Sequence, residues 1–316
     1  MKWNKTESDM YMKKTYIESL RMIAIILVIY NHTRELGFTL YQYTSDTGAY
    51  YLSVLMIPVC KTAVPIFLMI SGATLLGKTE DYRHLFSGRI VRYAGIILFW
   101  GTLQYLRYVR TGKAELSARG WWNNIYSSPR LETYWYLYLY LGFLLLLPLL
   151  RKAVSGMTNK DYGYLFGLSC VSSILTMFGY FSGSFINNSV FLLPSVFFYP
   201  LSGYWIDNAS DSSYGKDALK YGLTPIISFG IFGFIKSVDK RYLHSAGLKR
   251  MILAAGDTVF GIYLTEDMIR NQIVKLIVHI RADDFVIAVL YTLSTFAAGV
   301  VFVFIMKKLP VLKRLV

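Results

Sequence analysis

The chain has 316 residues, of which 54% are hydrophobic and only 16% are charged, and its mean hydropathy is +0.40. This composition is typical of a polytopic membrane protein and excludes an ordinary soluble enzyme. The net charge of +14 does not indicate a nucleic-acid-binding protein, because the basic residues collect between the apolar stretches.

Apolar stretches long enough to cross a hydrocarbon core of about 30 Å follow one another along the chain. Each is predicted to be a helix, because backbone polar groups in lipid must be satisfied within the segment. About nine spans are predicted, near residues 16–34, 50–77, 89–109, 133–151, 162–181, 187–207, 219–236, 252–279 and 284–306. We therefore expect an all-α, polytopic membrane helical bundle, with residues 1–316 forming a single domain.

The distribution of basic residues predicts the orientation of the first span. Lysines precede this span and further basic residues follow spans two and four, and such clusters favour the cytoplasmic side of a membrane. The N-terminus is therefore expected in the cytoplasm. No small-residue cleavage site follows the first span, so we expect it to remain attached as a signal anchor.

Arg21 and His32 are ionisable residues inside the first apolar stretch, where each costs roughly 2.5–3.5 kcal/mol on insertion scales. Eleven positions correspond to about 1100° of helix rotation, so the two side chains share one face and lie about 16 Å apart along the axis. Glu18 falls on that face one turn earlier and is the expected partner of Arg21. The alternative is that Arg21 and His32 only mark the two ends of the span.

Several segments, taken in order, resemble the acyltransferase-3 family of integral membrane O-acyltransferases. The segment YIESLRMIAIILVIYNHT resembles the first-helix pattern of an acidic residue followed by Arg-x10-His, and AVPIFLMISGATLLG resembles the second-helix pattern. GRIVRY contains an Arg-x-x-Arg pair like that of the family. The later segments that resemble the family are YWYLYLYLGFLLLLPLLR, LSGYWID and FGIYL.

The resemblance implies transfer of an acyl group, usually acetyl, from cytoplasmic acyl-CoA to a cell-surface glycan or its lipid-linked precursor, at the plasma membrane. It points to His32 as general base, a role that suits an imidazole at physiological pH. Arg21 would steer the donor or stabilise charge on the thioester, with Glu18 as its partner. Arg89 and Arg92 would bind the CoA phosphates, although plain positive-inside topology also explains them.

Ser71 and Trp135 are supporting candidates with simpler alternative explanations. Ser71 and the following Gly72 are expected to permit close helix approach rather than to perform chemistry. Trp135 is expected to anchor its helix at the membrane interface rather than to stack on the acceptor.

The chain departs from the family pattern at two positions where the family commonly has histidine. Thr133 and Tyr134 precede the tryptophan of the fourth span, and Glu266 follows the Tyr-Leu of the penultimate span. Arg270, at i+4 from Glu266, could pair with it across one helical turn. Glu266 is therefore expected to be either a structural ion pair or a hydrogen-bonding group of the site.

One crossing is missing relative to the family pattern of about ten spans. The polar stretch NASDSSYGKDALK replaces a helix, so span 219–236 is expected to be tilted, re-entrant or poorly packed. Because of this departure, the alternative that the chain is a catalytically degenerate relative, or a non-enzymatic transporter or assembly partner, stays open. The four histidines lack metal-ligand spacing, so no metal is expected.

Overall fold

The computed structural model consists of helices and connecting turns, with no strand in the residues that it describes, so the predicted all-helical class is confirmed. The described residues are 14–126, 134–182, 188–208, 224–242, 245–310 and 312–316. The principal helices are α1 (Thr15–Asn31), α2 (Thr47–Lys61), α3 (Ala63–Leu75), α4 (Val91–Arg110), α5 (Ala118–Tyr126), α6 (Trp135–Gly156), α7 (Asn159–Ser182), α8 (Asn188–Asn208), α9 (Thr224–Tyr242), α10 (Ala246–Gly256), α11 (Val259–Ile277) and α12 (Asp284–Met306).

Three helical stretches in the described part of the chain are long and apolar enough to cross a membrane. They are Thr47–Leu75, Trp135–Gly156 and Asp284–Met306. The predicted count of about nine spans remains a prediction. One predicted span, 252–279, is divided in the structure, because α10 ends at Gly256 and α11 begins at Val259.

The described residues group into two compact units. One contains the described residues within Met1–Thr74 and Met157–Arg314, together with Val316. The other contains those within Leu75–Gly156, together with Leu315. A single domain over the whole chain remains a prediction.

Helix α1 is central to the first unit. It packs against α2, α9, α10, α11 and α12, and its Leu20, Ile25 and Ile29 are fully buried. A helix surrounded by other helices is expected to be apolar on most of its sides, as this one is. Its polar residue Glu18 and the following His32 are therefore held among neighbouring helices.

Helices α3 and α8 approach each other through two reciprocal glycine contacts. A Cβ added to Gly72 would overlap the backbone carbonyl of Pro200, and one added to Gly203 would overlap that of Met69. Only glycine permits backbones to pass at this distance. The expectation that Gly72 permits close helix approach is therefore confirmed.

The last residues of α8, at the end of the LSGYWID segment, hold the beginning of α1. The Asp207 carboxylate accepts hydrogen bonds from Tyr16 and from the Lys14 ammonium group. The buried Lys236 of α9 donates to the Ile206 carbonyl at 2.5 Å and to the Asp207 carbonyl at 3.1 Å. A cation at the C-terminal end of a helix satisfies free carbonyls and the helix dipole.

The proposed missing crossing lies largely in residues 209–223, which are outside the described residues. The helix that follows, α9, continues to Tyr242, beyond the predicted end at residue 236. Phe232 in α9 is fully buried, and its ring centroid lies 5.9 Å from that of Tyr16. The described part of this helix therefore packs against the beginning of α1, and the expectation that span 219–236 is tilted, re-entrant or poorly packed remains a prediction.

The second unit contains α4, α5 and α6. A π-helical segment, Leu85–Ile90, leads into α4. Trp121 of α5 donates from its indole to the Thr102 hydroxyl at 2.9 Å, and Tyr138 of α6 donates to the Ile125 carbonyl at 2.7 Å. These hydrogen bonds satisfy polar groups of aromatic side chains that otherwise pack against apolar neighbours.

Candidate functional site

His32 lies immediately after the last residue of α1, in the C-cap position. The chain then turns sharply: the Thr33 hydroxyl donates to the Tyr30 carbonyl at 2.6 Å and accepts from the Phe38 N–H at 3.0 Å. Arg34 has a φ of 53°, which is uncommon for a residue with a side chain. Both the helix end and this turn fix the backbone that carries His32.

The His32 ring contacts a buried carboxylate on α11. Its Nδ1 lies 2.5 Å from Oε1 of Glu266, whose side chain is only 1% exposed. The other oxygen of Glu266 accepts from Arg270 Nε at 3.3 Å, and Arg270 Nη1 donates to the His32 carbonyl at 2.8 Å. Arg270 Nη2 also pairs with Asp267 at 3.0 Å. His32, Glu266 and Arg270 thus form a closed network, in which Glu266 contacts both of the other side chains and Arg270 contacts the His32 backbone carbonyl.

Both expectations for Glu266 correspond to contacts in the structure. The Glu266–Arg270 ion pair expected from the i+4 spacing is confirmed. The same carboxylate also contacts His32, so the pair is not confined to α11. Arg270 was expected only as the partner of Glu266, and its contact with the His32 carbonyl arises from the packing of α11 against α1.

The arrangement of His32 suits proton abstraction. A carboxylate beside Nδ1 favours the tautomer that carries the proton on Nδ1, which leaves the Nε2 lone pair available as a base. Among the described residues, Nε2 has no hydrogen-bond partner, and the side chain is 22% exposed. A proton taken by Nε2 would create an imidazolium, which the adjacent carboxylate stabilises.

A second pair on α1 consists of Glu18 and Arg21. Arg21 Nη1 lies 2.8 Å from Glu18 Oε1, as the sequence predicted, and the Arg21 side chain remains one-third exposed. Gly256, the last residue of α10, makes room for Glu18, because a Cβ there would come within 2.5 Å of both the Glu18 Cβ and Oε2. Glu18 therefore fixes one nitrogen of the guanidinium, while the remaining N–H groups of Arg21 have no partner in the described part of the chain.

Ser71 is placed in the first unit, within α3. Its hydroxyl donates to the Phe67 carbonyl at 2.8 Å, so its hydrogen atom is used inside its own helix. A serine bonded in this way is not prepared to act as a nucleophile, since a backbone carbonyl rather than a base accepts its hydrogen bond.

The remaining sequence candidates belong to the second unit. Arg89 lies in the π-helical segment, where its Nε donates to the Glu80 carboxylate at 2.9 and 3.1 Å. Arg92 is exposed in the first turn of α4, and Trp135 is exposed at the beginning of α6. The structure therefore unites His32 with Glu266, and Glu18 with Arg21, and it gives Arg89 a partner that the sequence analysis did not identify.

No group of three or more histidine, cysteine, aspartate or glutamate side chains suited to a metal ion occurs in the described ranges. Thr133, at one of the two departures from the family pattern, lies outside those ranges. Asp267 was also missed by the sequence analysis, although its position beside Glu266 and three residues before Arg270 is visible in the sequence.

The comparisons with known proteins identify one family. The sequence model of acyltransferase-3, described as an acyltransferase domain, matches residues 14–237, more than two thirds of the chain. No curated protein and no solved structure matches the chain. The matched range includes His32, Arg21 and Arg89, whereas Glu266 and Arg270 lie beyond it. The chain therefore belongs to the acyltransferase-3 family and is a membrane acyltransferase.

Proposed function

We propose that the protein is an O-acyltransferase that moves an acyl group, most simply acetyl, from cytoplasmic acyl-CoA to a hydroxyl of a surface glycan or its lipid-linked precursor. The observation that carries this proposal is the contact between His32 and the buried Glu266, braced by Arg270. A base oriented by a carboxylate is the arrangement that activates a hydroxyl group. The proposed location is the plasma membrane, with the N-terminus in the cytoplasm.

In the proposed reaction, His32 Nε2 takes the proton of the acceptor hydroxyl as its oxygen attacks the thioester carbonyl. The tetrahedral intermediate collapses with cleavage of the carbon–sulfur bond, and the CoA sulfur leaves as a thiol after receiving the proton from His32. Glu266 holds the ring in orientation and stabilises the transient imidazolium. Direct transfer, without an acyl-serine, agrees with the use of the Ser71 hydroxyl inside α3.

Arg21 is proposed to interact with the donor or with the charge that develops on the thioester oxygen. Its guanidinium is held at one nitrogen by Glu18 and is one-third exposed. A planar fork with free N–H groups suits an oxygen that becomes negative during attack. Arg89 and Arg92 are proposed to bind the phosphate groups of the donor, because arginine forks bind phosphate bidentately.

The test is the acetyl ester content of the cell-surface glycan in a strain that lacks the gene and is complemented with variants. We expect the wild type to restore the ester and His32→Ala to leave it absent, because loss of a general base costs ~10²–10⁴-fold in rate. His279→Ala is the matched control, since His279 is exposed beyond the end of α11. Normal acetylation by His32→Ala, at equal abundance in the membrane, would contradict the proposed base.

The same variants separate chemistry from transport in a purified system. We expect the wild-type protein in detergent to release CoA from acetyl-CoA in the presence of a sugar acceptor, and His32→Ala to release almost none. A transporter would restore the glycan ester in cells without performing this reaction in detergent. CoA release that is independent of His32 would also count against the proposal.

A further inference from the structure

Glu80 is the centre of a cationic cluster in the second unit. It lies in the segment between α3 and the π-helical turn that precedes α4. One oxygen lies 2.9 Å from His84 Nδ1 and 2.9 Å from Arg89 Nε, and the other lies 3.2 Å from Arg151 Nη2. Arg151 also donates from Nε and Nη2 to the Leu75 carbonyl, at 3.1 and 3.0 Å. A single carboxylate is thus surrounded by two guanidinium groups and one imidazole.

The electrostatics of this cluster leave it positive. Partial burial tends to raise the pKa of Glu80, but the hydrogen bonds from Arg89, His84 and Arg151 outweigh that effect and lower the pKa to about 2. Glu80 is therefore ionised at neutral pH and contributes one negative charge. The two arginines contribute two positive charges, so the cluster carries a net charge of at least +1. Such a cluster is suited to an anionic ligand.

Arg89 is held in a way that leaves its terminal edge available. Only its Nε contacts Glu80, at 2.9 and 3.1 Å, and the side chain is 35% exposed. Its Nη1 and Nη2 have no partner among the described residues. A guanidinium presents five N–H donors in a rigid plane, so a contact at Nε fixes the direction of the remaining donors. Those donors form the edge that binds a phosphate group bidentately.

Arg151 supports this arrangement through its own contact with Glu80. It is only 13% exposed, and its bonds to the Leu75 carbonyl hold its guanidinium in place. A carboxylate held by a fixed arginine has little freedom to follow Arg89 as that side chain moves. Because Arg151 holds Glu80 in place, Glu80 in turn restricts the motion of the Arg89 side chain.

We propose that Glu80 is a positioning residue for donor binding, which orients Arg89 so that the Nη1–Nη2 edge meets a phosphate group of acyl-CoA. This proposal rests on the proposed function, which makes acyl-CoA the donor and Arg89 one of its ligands. The proposal adds to that function a residue, Glu80, whose carboxylate improves anion binding despite its own negative charge. Positioning dominates because Glu80 is already neutralised by the arginines around it.

The first experiment measures binding of CoA alone to the purified full-length protein by titration calorimetry. We expect Glu80→Gln to raise the Kd about tenfold, the loss expected of one charge-assisted hydrogen bond. The titrations are made at about 0.15 M salt, where the Debye length is about 8 Å and unspecific charge effects are reduced. Glu115→Gln is the matched control, because it removes the same charge from an exposed position in the same unit. We expect it to leave the Kd unchanged.

The second experiment tests whether Glu80 acts through Arg89. Arg89→Ala is expected to raise the Kd by at least as much as Glu80→Gln, and Glu80→Gln is expected to have no further effect in the Arg89→Ala background. In the transfer reaction, Glu80→Gln is expected to raise KM for acetyl-CoA and to leave kcat near the wild-type value. If Glu80→Gln lowers the yield of folded protein, Glu80→Asp, which keeps the charge, should bind CoA more tightly than Glu80→Ala.

The outcomes distinguish this inference from the proposed function. A wild-type protein that does not bind CoA would overturn acyl-CoA as donor, and this inference with it. A wild-type protein that binds CoA, together with an unchanged or lower Kd for Glu80→Gln, would overturn only the role of Glu80. The role of Glu80 would also be overturned if Glu80→Gln raised the Kd for CoA equally in the wild-type and Arg89→Ala backgrounds.

Discussion

Replacing Glu266 by glutamine preserves the size of the side chain and removes the negative charge beside His32. In the wild type, Glu266 Oε1 lies 2.5 Å from His32 Nδ1, and the Glu266 side chain is almost fully buried. The glutamine amide can present an N–H group to Nδ1, which moves the ring proton to Nε2, where the base must be free of a proton. The imidazolium formed during transfer also loses its nearest counter-charge. The substitution should therefore affect chemistry more than binding.

The size of the effect follows from what the contact contributes. A positioned general base accelerates proton transfer by ~10²–10⁴-fold. This range corresponds to about 3–5.5 kcal/mol of transition-state stabilisation, at 1.36 kcal/mol for each tenfold change. We expect Glu266→Gln to decrease kcat by a factor of ~10²–10⁴, with little change in KM for acetyl-CoA. Arg270 keeps its contacts with Asp267 and with the His32 carbonyl, so the abundance of folded protein should change little.

The assay is transfer of labelled acetyl from acetyl-CoA to a sugar acceptor by purified variants at matched concentration. Asp267→Asn is the control, because Asp267 contacts Arg270, and among the hydrogen bonds found at His32 none involves Asp267. Its kcat should remain near that of the wild type. A wild-type kcat for Glu266→Gln would refute the role of Glu266 in orienting His32. An equal loss in both variants would show that the charge of α11, rather than the contact with His32, is what matters.

Three further outcomes follow from other contacts. Arg21→Lys should lose most activity in the transfer assay at normal abundance, because lysine lacks the planar fork. Wild-type activity of this variant would show that Arg21 contributes only its positive charge. Gly72→Ala should destabilise the protein by several kcal/mol, because the added Cβ would overlap the Pro200 carbonyl. Gly230→Ala is the control, since open space surrounds Gly230, and it should leave the melting temperature nearly unchanged. The stability that ionised Glu80 contributes is fully present above about pH 4.5 and is lost as the pH falls towards its pKa of about 2. The difference in melting temperature between wild type and Glu80→Gln should therefore shrink across that interval, and a constant difference would contradict the lowered pKa.

The sequence alone determined the features that depend on local spacing and composition. Hydropathy predicted an all-helical membrane protein, because a helix satisfies the hydrogen bonds of its own backbone within the lipid. The three- and four-residue spacings predicted the Glu18–Arg21 and Glu266–Arg270 pairs, because one helical turn brings such residues together regardless of the rest of the fold. The order of the family-like segments predicted the family that the sequence comparison then showed.

Contacts between distant parts of the chain were decided only by tertiary structure. His32 and Glu266 are separated by 234 positions, and no periodicity within α1 or α11 specifies which faces of the two helices meet. The sequence therefore left Glu266 open between an ion pair and a group of the site, and packing gave it both contacts. Glu80 was missed for the same reason, because its partner Arg151 lies 71 positions away, on α6. Helix faces follow from periodicity, whereas the choice of neighbouring face depends on the fit of all the helices together.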